Sequence, residues 1–305
     1  MQRQPGSLSI KLYAMSETIL LTRPNGDCAQ VKLLGAELHQ WRTRDVELIR
    51  ELDETVWDQT APVLFPVVGW TRNGEVRVDG QSYPLALHGF AWRKRFTVAE
   101  QREDFLRLAL TDDAETRALY PFAFRLEVTF QLGDGRLENA LIVTNAGDRP
   151  LPYACGLHPG FRWPFASSVK PHSIRFEKTE RPEVPVIAPG GLFAAQKRST
   201  PLKEGVLPLE PALFASDALC FLNINSQSLV FDNGAGARLH VALDDFPHVG
   251  FWTRPPAPYL CIEPWTGHGD PVDFTGELFE KPSMRQLAPG GVARHAATFS
   301  LEGEV

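Results

Sequence analysis

The chain has 305 residues, and 43% of them are hydrophobic, which is enough to bury a large core. Its net charge of −6 argues against a nucleic-acid-binding surface, because such a surface needs clustered basic residues. No stretch approaches the roughly 18 uncharged apolar residues of a membrane span. We therefore expect neither nucleic acid nor a membrane as a partner.

Residues 1–14 show no sustained apolar segment and no small-residue cleavage site, so we expect no signal peptide and a cytoplasmic location. This segment is interpreted either as a disordered extension or as sequence that precedes a biological start at Met15. The cysteines occur singly, without the paired spacing of metal sites, and are expected to be reduced. Cys155 and Cys261 are interpreted as small buried fillers.

Alternation of apolar and polar residues with a period of two dominates the chain. Arg125 to Leu132 places four apolar side chains on one face, Gly133 to Gly135 predicts a turn, and Arg136 to Thr144 reads as the returning strand. Strands with the same alternation are predicted at Phe105 to Leu110, Arg238 to Leu243 and Ala296 to Leu301. In Val249 to Thr253, the central Gly250 indicates a strand that another group approaches closely.

Helical signals are sparse. The clearest predicts a helix from Asp112 to Tyr120, with aspartates at its start and Pro121 after its end. The 24 glycines and 25 prolines divide the rest of the chain into many short strands. We therefore predict an all-β fold: one antiparallel sandwich domain over residues 15–305 with few short helices.

Three separated stretches carry the candidate chemistry: His88 before a Gly-Phe pair, His158 before Pro-Gly-Phe, and Glu263 before Pro-Trp. Histidine titrates near neutral pH, and a carboxylate held against an indole can be tuned toward the same range. Two imidazoles and one carboxylate are suited to acid–base chemistry, provided that the fold brings them into one cleft.

The chain resembles the aldose 1-epimerase (galactose mutarotase) family, and most of all its less-characterised bacterial-type subgroup. The matching blocks keep their order from about residue 17 to about residue 300. They are Gly35 to Leu38, Trp57, Ala61 to Gly69, His88 to Ala91, Tyr120 to Phe122, Gly156 to Phe161, Asp244 to Pro247, Cys261 to Trp265 and Lys281-Pro282.

This resemblance implies a β-supersandwich with a sugar-binding cleft on one concave face. It also implies interconversion of the α and β anomers of an aldose, with no metal and no other cofactor. The small-molecule partner is expected to be a hexose or a hexose phosphate. The oligomeric state is left open.

Position by position, the resemblance makes Glu263 the general base and His158 the general acid, expected on opposite sides of a hexose-sized hollow. His88 matches a histidine that binds the ring-side oxygens, and Asp217 matches an aspartate that binds sugar hydroxyls. Trp265 is interpreted either as a wall of the site, where it raises the pKa of Glu263 by desolvation or provides a stacking face for the sugar, or as a core residue.

One position departs from the subgroup. An arginine that grips the substrate commonly follows the glycine of the Leu-Phe-Pro stretch, but Trp70 stands there. Arg72 is expected to replace that arginine, because a shift of two along a strand keeps the same face. Arg93 is the other candidate, and loss of the contact is the third possibility.

Other reactions find less support in the sequence. A zinc site of two histidines and a glutamate usually draws two ligands from a local His-Glu-x-x-His motif, which is absent, as is the Gly-x-Ser-x-Gly elbow of hydrolases. A sugar-phosphate epimerase, with Arg72 and the Arg93 to Arg95 triplet as anion ligands, remains an alternative. A carbohydrate-binding or sugar-sensing protein with little turnover is a second alternative.

Overall fold

A computed structural model describes residues 18–303, so the proposed extension at residues 1–14 lies outside the described part. These residues form 25 strands, and every paired strand is antiparallel to its neighbour. In chain order the strands are β1 Thr18–Thr22, β2 Cys28–Lys32, β3 Glu37–Thr43, β4 Val46–Glu47, β5 Val63–Leu64, β6 Glu75–Val78, β7 Gln81–Pro84, β8 Thr97–Gln101, β9 Phe105–Thr111, β10 Phe124–Gly133, β11 Arg136–Asn145, β12 Leu151–Tyr153, β13 Gly156–Leu157, β14 Gly160–Arg162, β15 Ser173–Phe176, β16 Glu183–Ala188, β17 Leu192–Ser199, β18 Val206–Pro208, β19 Leu219–Leu222, β20 Ser228–Asp232, β21 Arg238–Asp244, β22 His248–Trp252, β23 Tyr259–Trp265, β24 Arg285–Leu287 and β25 Val292–Glu302.

Helical structure is confined to short segments. Helix α1 covers Ala114–Leu119, and 3-10 turns cover Arg72–Gly74, Ala91–Arg93, Pro211–Phe214 and Leu278–Glu280. The start of α1 is fixed by a capping box, in which Asp113 Oδ1 accepts from the Thr116 amide at 2.7 Å while Thr116 Oγ1 accepts from the Asp113 amide. The predicted helix between Asp112 and Pro121 is thereby confirmed.

The largest sheet has nine strands in the order β18-β15-β20-β21-β25-β11-β10-β9-β8. Its centre is the predicted hairpin, in which β10 pairs with β11 in continuous register from Phe124–Asn145 to Gly133–Arg136. The four alternating apolar residues of β10 are fully buried, because a period of two sends them all to the core side. They are Leu126, Val128, Phe130 and Leu132.

A second sheet faces the first across the core and carries the order β19-β22-β23-β13-β5, with β14 also paired to β23. Contact between the two sheets is direct: the ring of Phe161 on β14 lies 5.2 Å from that of Phe299 on β25. Among the smaller sheets, one has four strands in the order β1-β2-β3-β4, and the others are the two-stranded pairs β6-β7, β12-β24 and β16-β17. The all-β antiparallel sandwich is therefore confirmed for the described residues.

No helix in the described part of the chain is both long and apolar enough to span a membrane.

Candidate active site

Strand β23 is the element that places the candidate carboxylate. Leu260 and Ile262 point into the main core, so the alternating residues Cys261, Glu263 and Trp265 lie on the opposite face. That face forms one wall of a cleft with a volume of about 1110 Å³, and Glu263 and Trp265 both line it. Gly250 of β22 pairs with Glu263 on one edge of β23, and on the other edge β13 and β14 pair with β23 at Trp265 and Cys261, on either side of Glu263.

Two glycines make room for the indole of Trp265. A Cβ at Gly250, which pairs with Glu263 across β22 and β23, would lie 2.6 Å from the indole Cη2. A Cβ at Gly156 would lie 2.6 Å from the indole Cδ1. The close approach predicted at Gly250 is confirmed, and the approaching group is Trp265. Trp265 is both a wall of the cleft and, at 5% exposure, a packed core residue.

His158 lies in the bend between β13 and β14, which both pair with β23. The Ile262 amide donates to the Pro159 carbonyl at 3.2 Å, so the bend is tied to the strand that carries Glu263. His158 Nε2 consequently lies 3.0 Å from Glu263 Oε2, and both side chains are buried. His158 Nδ1 has no hydrogen-bond partner within residues 18–303.

This contact corrects the expectation that Glu263 and His158 lie on opposite sides of a hollow. The two groups sit side by side on one wall because β13 and β14 both pair with β23. The arrangement still suits a pyranose, since the anomeric oxygen and the ring oxygen are bonded to the same carbon. Two adjacent proton-transfer groups can therefore reach both oxygens.

Burial sets the protonation of this pair. Desolvation, reinforced by the nearby Asp217 carboxylate, raises the pKa of Glu263 well above its usual value of 4.5. The Trp265 indole N–H opposes this by lowering the Glu263 pKa, although it does not reach hydrogen-bond geometry with any described residue. Desolvation and the neighbouring His88 hold the pKa of His158 well below 6.5. Both shifts favour a pair that holds one titratable proton over a wide pH range.

His88 stands beside the pair, with its ring centre 5.6 Å from that of His158. The Gly69 amide donates to His88 Nδ1 at 3.1 Å, and the His88 amide donates back to the Gly69 carbonyl. With Nδ1 accepting, the ring hydrogen resides on Nε2. Desolvation lowers the pKa of His88 to about 3, so the ring is a neutral N–H donor at neutral pH.

Backbone geometry explains why Gly89 follows this histidine. His88 and Gly89 both have left-handed φ angles, of 60° and 69°. A Cβ at Gly89 would lie 2.2 Å from the Phe65 carbonyl oxygen, which accepts the Phe90 amide at 3.0 Å. Only glycine permits this approach.

Asp217 also lines the cleft, on the exposed turn after the Pro211–Phe214 segment. Its Oδ1 accepts from the Ala218 amide at 2.7 Å, and its carbonyl accepts from Arg198 Nη2 at 2.9 Å. Its left-handed φ of 77° suits an aspartate in a turn. The structure thus brings Glu263, His158, His88, Asp217 and Trp265 to one cleft.

Arg72 is not part of this cleft, and the reasoning that placed it there was wrong. The segment after Gly69 forms a 3-10 turn at Arg72–Gly74 and no strand, so the rule of alternating faces does not apply. Arg72 Nη1 donates to the Phe274 carbonyl at 3.2 Å and lines a separate groove with Lys281. Arg93 does line the cleft, with its guanidinium 3.9 Å from the centre of the Trp92 ring.

The sequence analysis named Trp265 as a possible stacking face but did not predict how many tryptophans line the cleft. Five of the seven tryptophans line it, namely Trp57, Trp70, Trp92, Trp252 and Trp265. The rings of Trp57 and Trp252 lie 5.1 Å and 5.7 Å from that of His158. The high tryptophan content was the available signal, but only folding shows which rings converge.

Buried Arg50 was also missed, and it positions one wall. Its Nη1 donates to the carbonyls of Trp57 and Gln59, and its guanidinium lies 4.6 Å from the centre of the Tyr259 ring. Arg50 therefore holds the loop that carries Trp57 against the cleft. No sequence motif marks it.

One set of potential metal ligands coincides with the pair. A ligand atom each from His158, Cys261 and Glu263 lies within 4.8 Å of the others. Burial raises the pKa of the Cys261 thiol well above its usual value, which disfavours the thiolate that a metal needs. The expectation that no metal takes part stays a prediction.

Comparison with known proteins identifies the family. The family model described as aldose 1-epimerase matches residues 17–295. The chain belongs to the aldose 1-epimerase family. The plasmid-encoded LacX protein of Lactococcus lactis subsp. lactis is 30% identical over 274 residues, which cover 85% of this chain and 91% of that relative.

Solved structures of this family share the fold. A galactose mutarotase related enzyme from Lactobacillus acidophilus superposes with a TM-score of 0.87 at 27% identity, over 94% of this chain and 97% of the other. A galactose mutarotase-like protein from Lactobacillus casei also has a TM-score of 0.87, at 24% identity, over 94% and 100%. The galactose mutarotase-like architecture is thus confirmed. Membership in the aldose 1-epimerase family supports an isomerase that acts on a small sugar.

Proposed function

We propose that this protein is a cofactor-independent aldose 1-epimerase that interconverts the α and β anomers of a hexose unit. The observation that carries the proposal is the buried contact of 3.0 Å between His158 Nε2 and Glu263 Oε2 in a cleft lined by tryptophans. Acid–base ring opening needs such a pair, and indole faces suit the C–H faces of a pyranose.

In the proposed reaction, ionised Glu263 takes the proton of the anomeric hydroxyl while protonated His158 gives a proton to the ring oxygen. The bond between C1 and the ring oxygen breaks, and C1 becomes the aldehyde carbon. Rotation about the C1–C2 bond exposes the other face, and ring closure returns both protons. The pair carries one proton before and after each step. The raised pKa of Glu263 and the lowered pKa of His158 place that proton on Glu263 in the absence of sugar, so the reaction requires its transfer to His158 across their 3.0 Å contact when the sugar binds.

The neighbouring residues support this reaction in distinct ways. His88 offers its Nε2 hydrogen to a sugar oxygen, because its Nδ1 already accepts the Gly69 amide. Asp217 accepts from sugar hydroxyls through the carboxylate oxygen that does not bind the Ala218 amide. Trp265 forms the floor beside the pair and removes water from Glu263.

Two alternatives have one supporting observation each. A sugar phosphate is favoured by two guanidinium groups in the cleft, those of Arg93 and Arg254, but the carboxylates of Asp58, Asp217 and Glu263 line it as well. A binding protein without turnover is favoured by Trp70 in the place of the subgroup's arginine.

Polarimetry of freshly dissolved α-glucose, α-galactose and glucose 6-phosphate separates these functions. We expect acceleration of mutarotation above the buffer rate for the neutral hexoses, with smaller kcat/KM for the phosphate. Acceleration restricted to the phosphate would establish the first alternative. Calorimetric sugar binding with mutarotation at the buffer rate would establish the second.

A further inference from the structure

Cys261 is a buried thiol beside the catalytic pair that the proposed reaction does not use. It lies two residues from Glu263 on the same face of β23 and is fully buried. One ligand atom each from Cys261, Glu263 and His158 lies within 4.8 Å of the others. Among residues 18–303 this is the one such group of histidine, cysteine and acidic side chains.

The backbone holds the three side chains close to the spacing that a metal requires. Gly160, two residues after His158, pairs with Cys261 across β14 and β23. His158 Nε2 lies 3.0 Å from Glu263 Oε2. A nitrogen and an oxygen that share a tetrahedral zinc ion, at bond lengths of about 2.0–2.2 Å, are about 3.4 Å apart. These two ligands therefore need little movement, and the thiol must approach them by up to about 1 Å.

The donor set selects the metal. One imidazole nitrogen, one thiolate and one carboxylate oxygen are ligands that Zn²⁺ takes from proteins, and three protein ligands leave a fourth position open. Mg²⁺ and Ca²⁺ prefer oxygen ligands, of which this group offers only those of Glu263. The nearby Asp217 carboxylate, which also raises the pKa of Glu263, adds negative charge that attracts a cation.

Two features make this site weak and reversible. Burial raises the pKa of the Cys261 thiol, so the metal must displace the thiol proton together with the proton of the pair, and both protons pass to the solvent. His158 Nδ1 has no hydrogen-bond partner in the described part of the chain, whereas strong sites fix the ligating histidine through its second nitrogen. Such a site suits a metal that binds and leaves.

We propose, building on the proposed function, that His158, Cys261 and Glu263 form an inhibitory site for Zn²⁺. His158 and Glu263 line the cleft, which gives the ion a path of entry. A bound metal occupies the lone pairs that must carry protons to and from the anomeric and ring oxygens, so ring opening stops. Cys261 contributes affinity for the metal and no chemistry, and inhibition is therefore separable from catalysis.

Absorption of Co²⁺ tests the site without reference to activity. Co²⁺ takes the same ligands as Zn²⁺ and shows a thiolate charge-transfer band when sulfur is bound. We expect this band in the wild type, its displacement by added Zn²⁺, and its loss in Cys261→Ala and Cys261→Ser. Cys220→Ala is the matched control and should keep the band, because the buried Cys220 thiol lines the cleft but lies outside the group.

Polarimetry with glucose tests inhibition, each rate being corrected for the same metal concentration without protein. Zn²⁺ should inhibit the wild type, a chelator should restore the rate, and Mg²⁺ at the same concentration should have no effect. Both Cys261 variants should keep the metal-free rate. They should need at least about 100-fold more Zn²⁺ for half inhibition, because loss of a ligand costs more than the 10- to 100-fold of losing an outer partner.

Absence of the cobalt band in the wild type, its persistence in both Cys261 variants, or its loss in Cys220→Ala overturns the site. Equal inhibition of the wild type and the Cys261 variants also overturns it, and leaves the proposed function standing. A wild type that accelerates exchange of no sugar but shows the Cys261-dependent band refutes the proposed function and the inhibition, and leaves the metal site standing. Thermal melting of each variant confirms that the comparison is between folded proteins.

Discussion

Replacing Gly250 by alanine tests how the packing of Trp265 positions the carboxylate. The new Cβ would lie 2.6 Å from Cη2 and 2.7 Å from Cζ2 of the Trp265 indole. Reaching an ordinary contact of 3.4 Å requires the ring to move by about 0.8 Å. Glu263 pairs directly with Gly250 and lies two residues from Trp265, so this strain acts on the catalytic wall.

Overpacking of this kind costs about 1–3 kcal/mol of folding free energy. Displacement of a catalytic group by about 1 Å lowers the rate by up to about 100-fold. We therefore expect Gly250→Ala to lose stability in this range and to lower kcat by about 10- to 100-fold. Urea unfolding gives the first quantity, and polarimetry with glucose gives the second.

Gly133→Ala is the matched control, because Gly133 also lies in a strand and its Cβ would make only an ordinary contact, 3.4 Å from Arg136 Cβ. Replacing glycine by alanine also stabilises a protein by reducing the conformational entropy of its unfolded chain, and this contribution is shared by both variants and cancels in the comparison. In a double-mutant cycle, Gly250→Ala should cost less stability in a Trp265→Leu background than in the wild type, since the smaller side chain removes the clash. A Gly250→Ala variant as stable and as active as Gly133→Ala would refute the reasoning.

The pH–rate profile of kcat/KM should show a plateau wider than the interval between 4.5 and 6.5, the ordinary pKa values of Glu263 and His158. The acid limb moves to lower pH because His158 resists a second proton, and the alkaline limb moves to higher pH because Glu263 holds the last proton. A narrow bell with limbs at 4.5 and 6.5 would speak against the coupled pair. Lys281→Met should lower the free energy of unfolding in urea by about 3–5 kcal/mol, because it leaves Asp270 as a buried charge without its partner. Adding Asp270→Asn should restore part of this loss. A Lys281→Met variant as stable as the wild type would contradict the prediction. Burial lowers the pKa of His248 to about 3 in the folded protein, whereas in the unfolded chain it keeps its ordinary value of 6.5. As the pH falls below 6.5, His248 therefore gains a proton in the unfolded chain but not in the folded protein, and the folded protein loses stability. One such proton changes the free energy of unfolding by about 1.4 kcal/mol per pH unit, so between pH 7 and pH 5 the wild type should lose about 2 kcal/mol more than His248→Gln. Equal losses in the two proteins would show that His248 does not cause the pH dependence.

Regular alternation made much of the fold predictable. The hairpin of β10 and β11 follows from its four alternating apolar residues and the Gly-Asp-Gly turn, which both depend on nearby sequence. The helix at Ala114–Leu119 follows from its cap and the proline beyond it. In each case, local interactions and the tertiary structure favour the same result.

Only the site residues that lie in family motifs could be predicted from the sequence. His88, His158 and Glu263 reach one cleft as the family resemblance implied, but the side-by-side contact of the pair depends on β13 and β14 both pairing with β23. The prediction for Arg72 was wrong because the backbone leaves the extended conformation after Thr71, at a turn that alternation cannot predict. Arg50 acts through two loop carbonyls, a long-range contact that leaves no pattern in the sequence.

Exchange NMR of glucose at anomeric equilibrium tests the central claim most directly, because it measures ring opening without any coupling enzyme. The account predicts magnetisation transfer between the α and β anomeric signals with the wild type and a reduction of about 10²- to 10⁴-fold with Glu263→Gln, which keeps the shape of the side chain but removes the base. Exchange by Glu263→Gln at the wild-type rate would contradict the account.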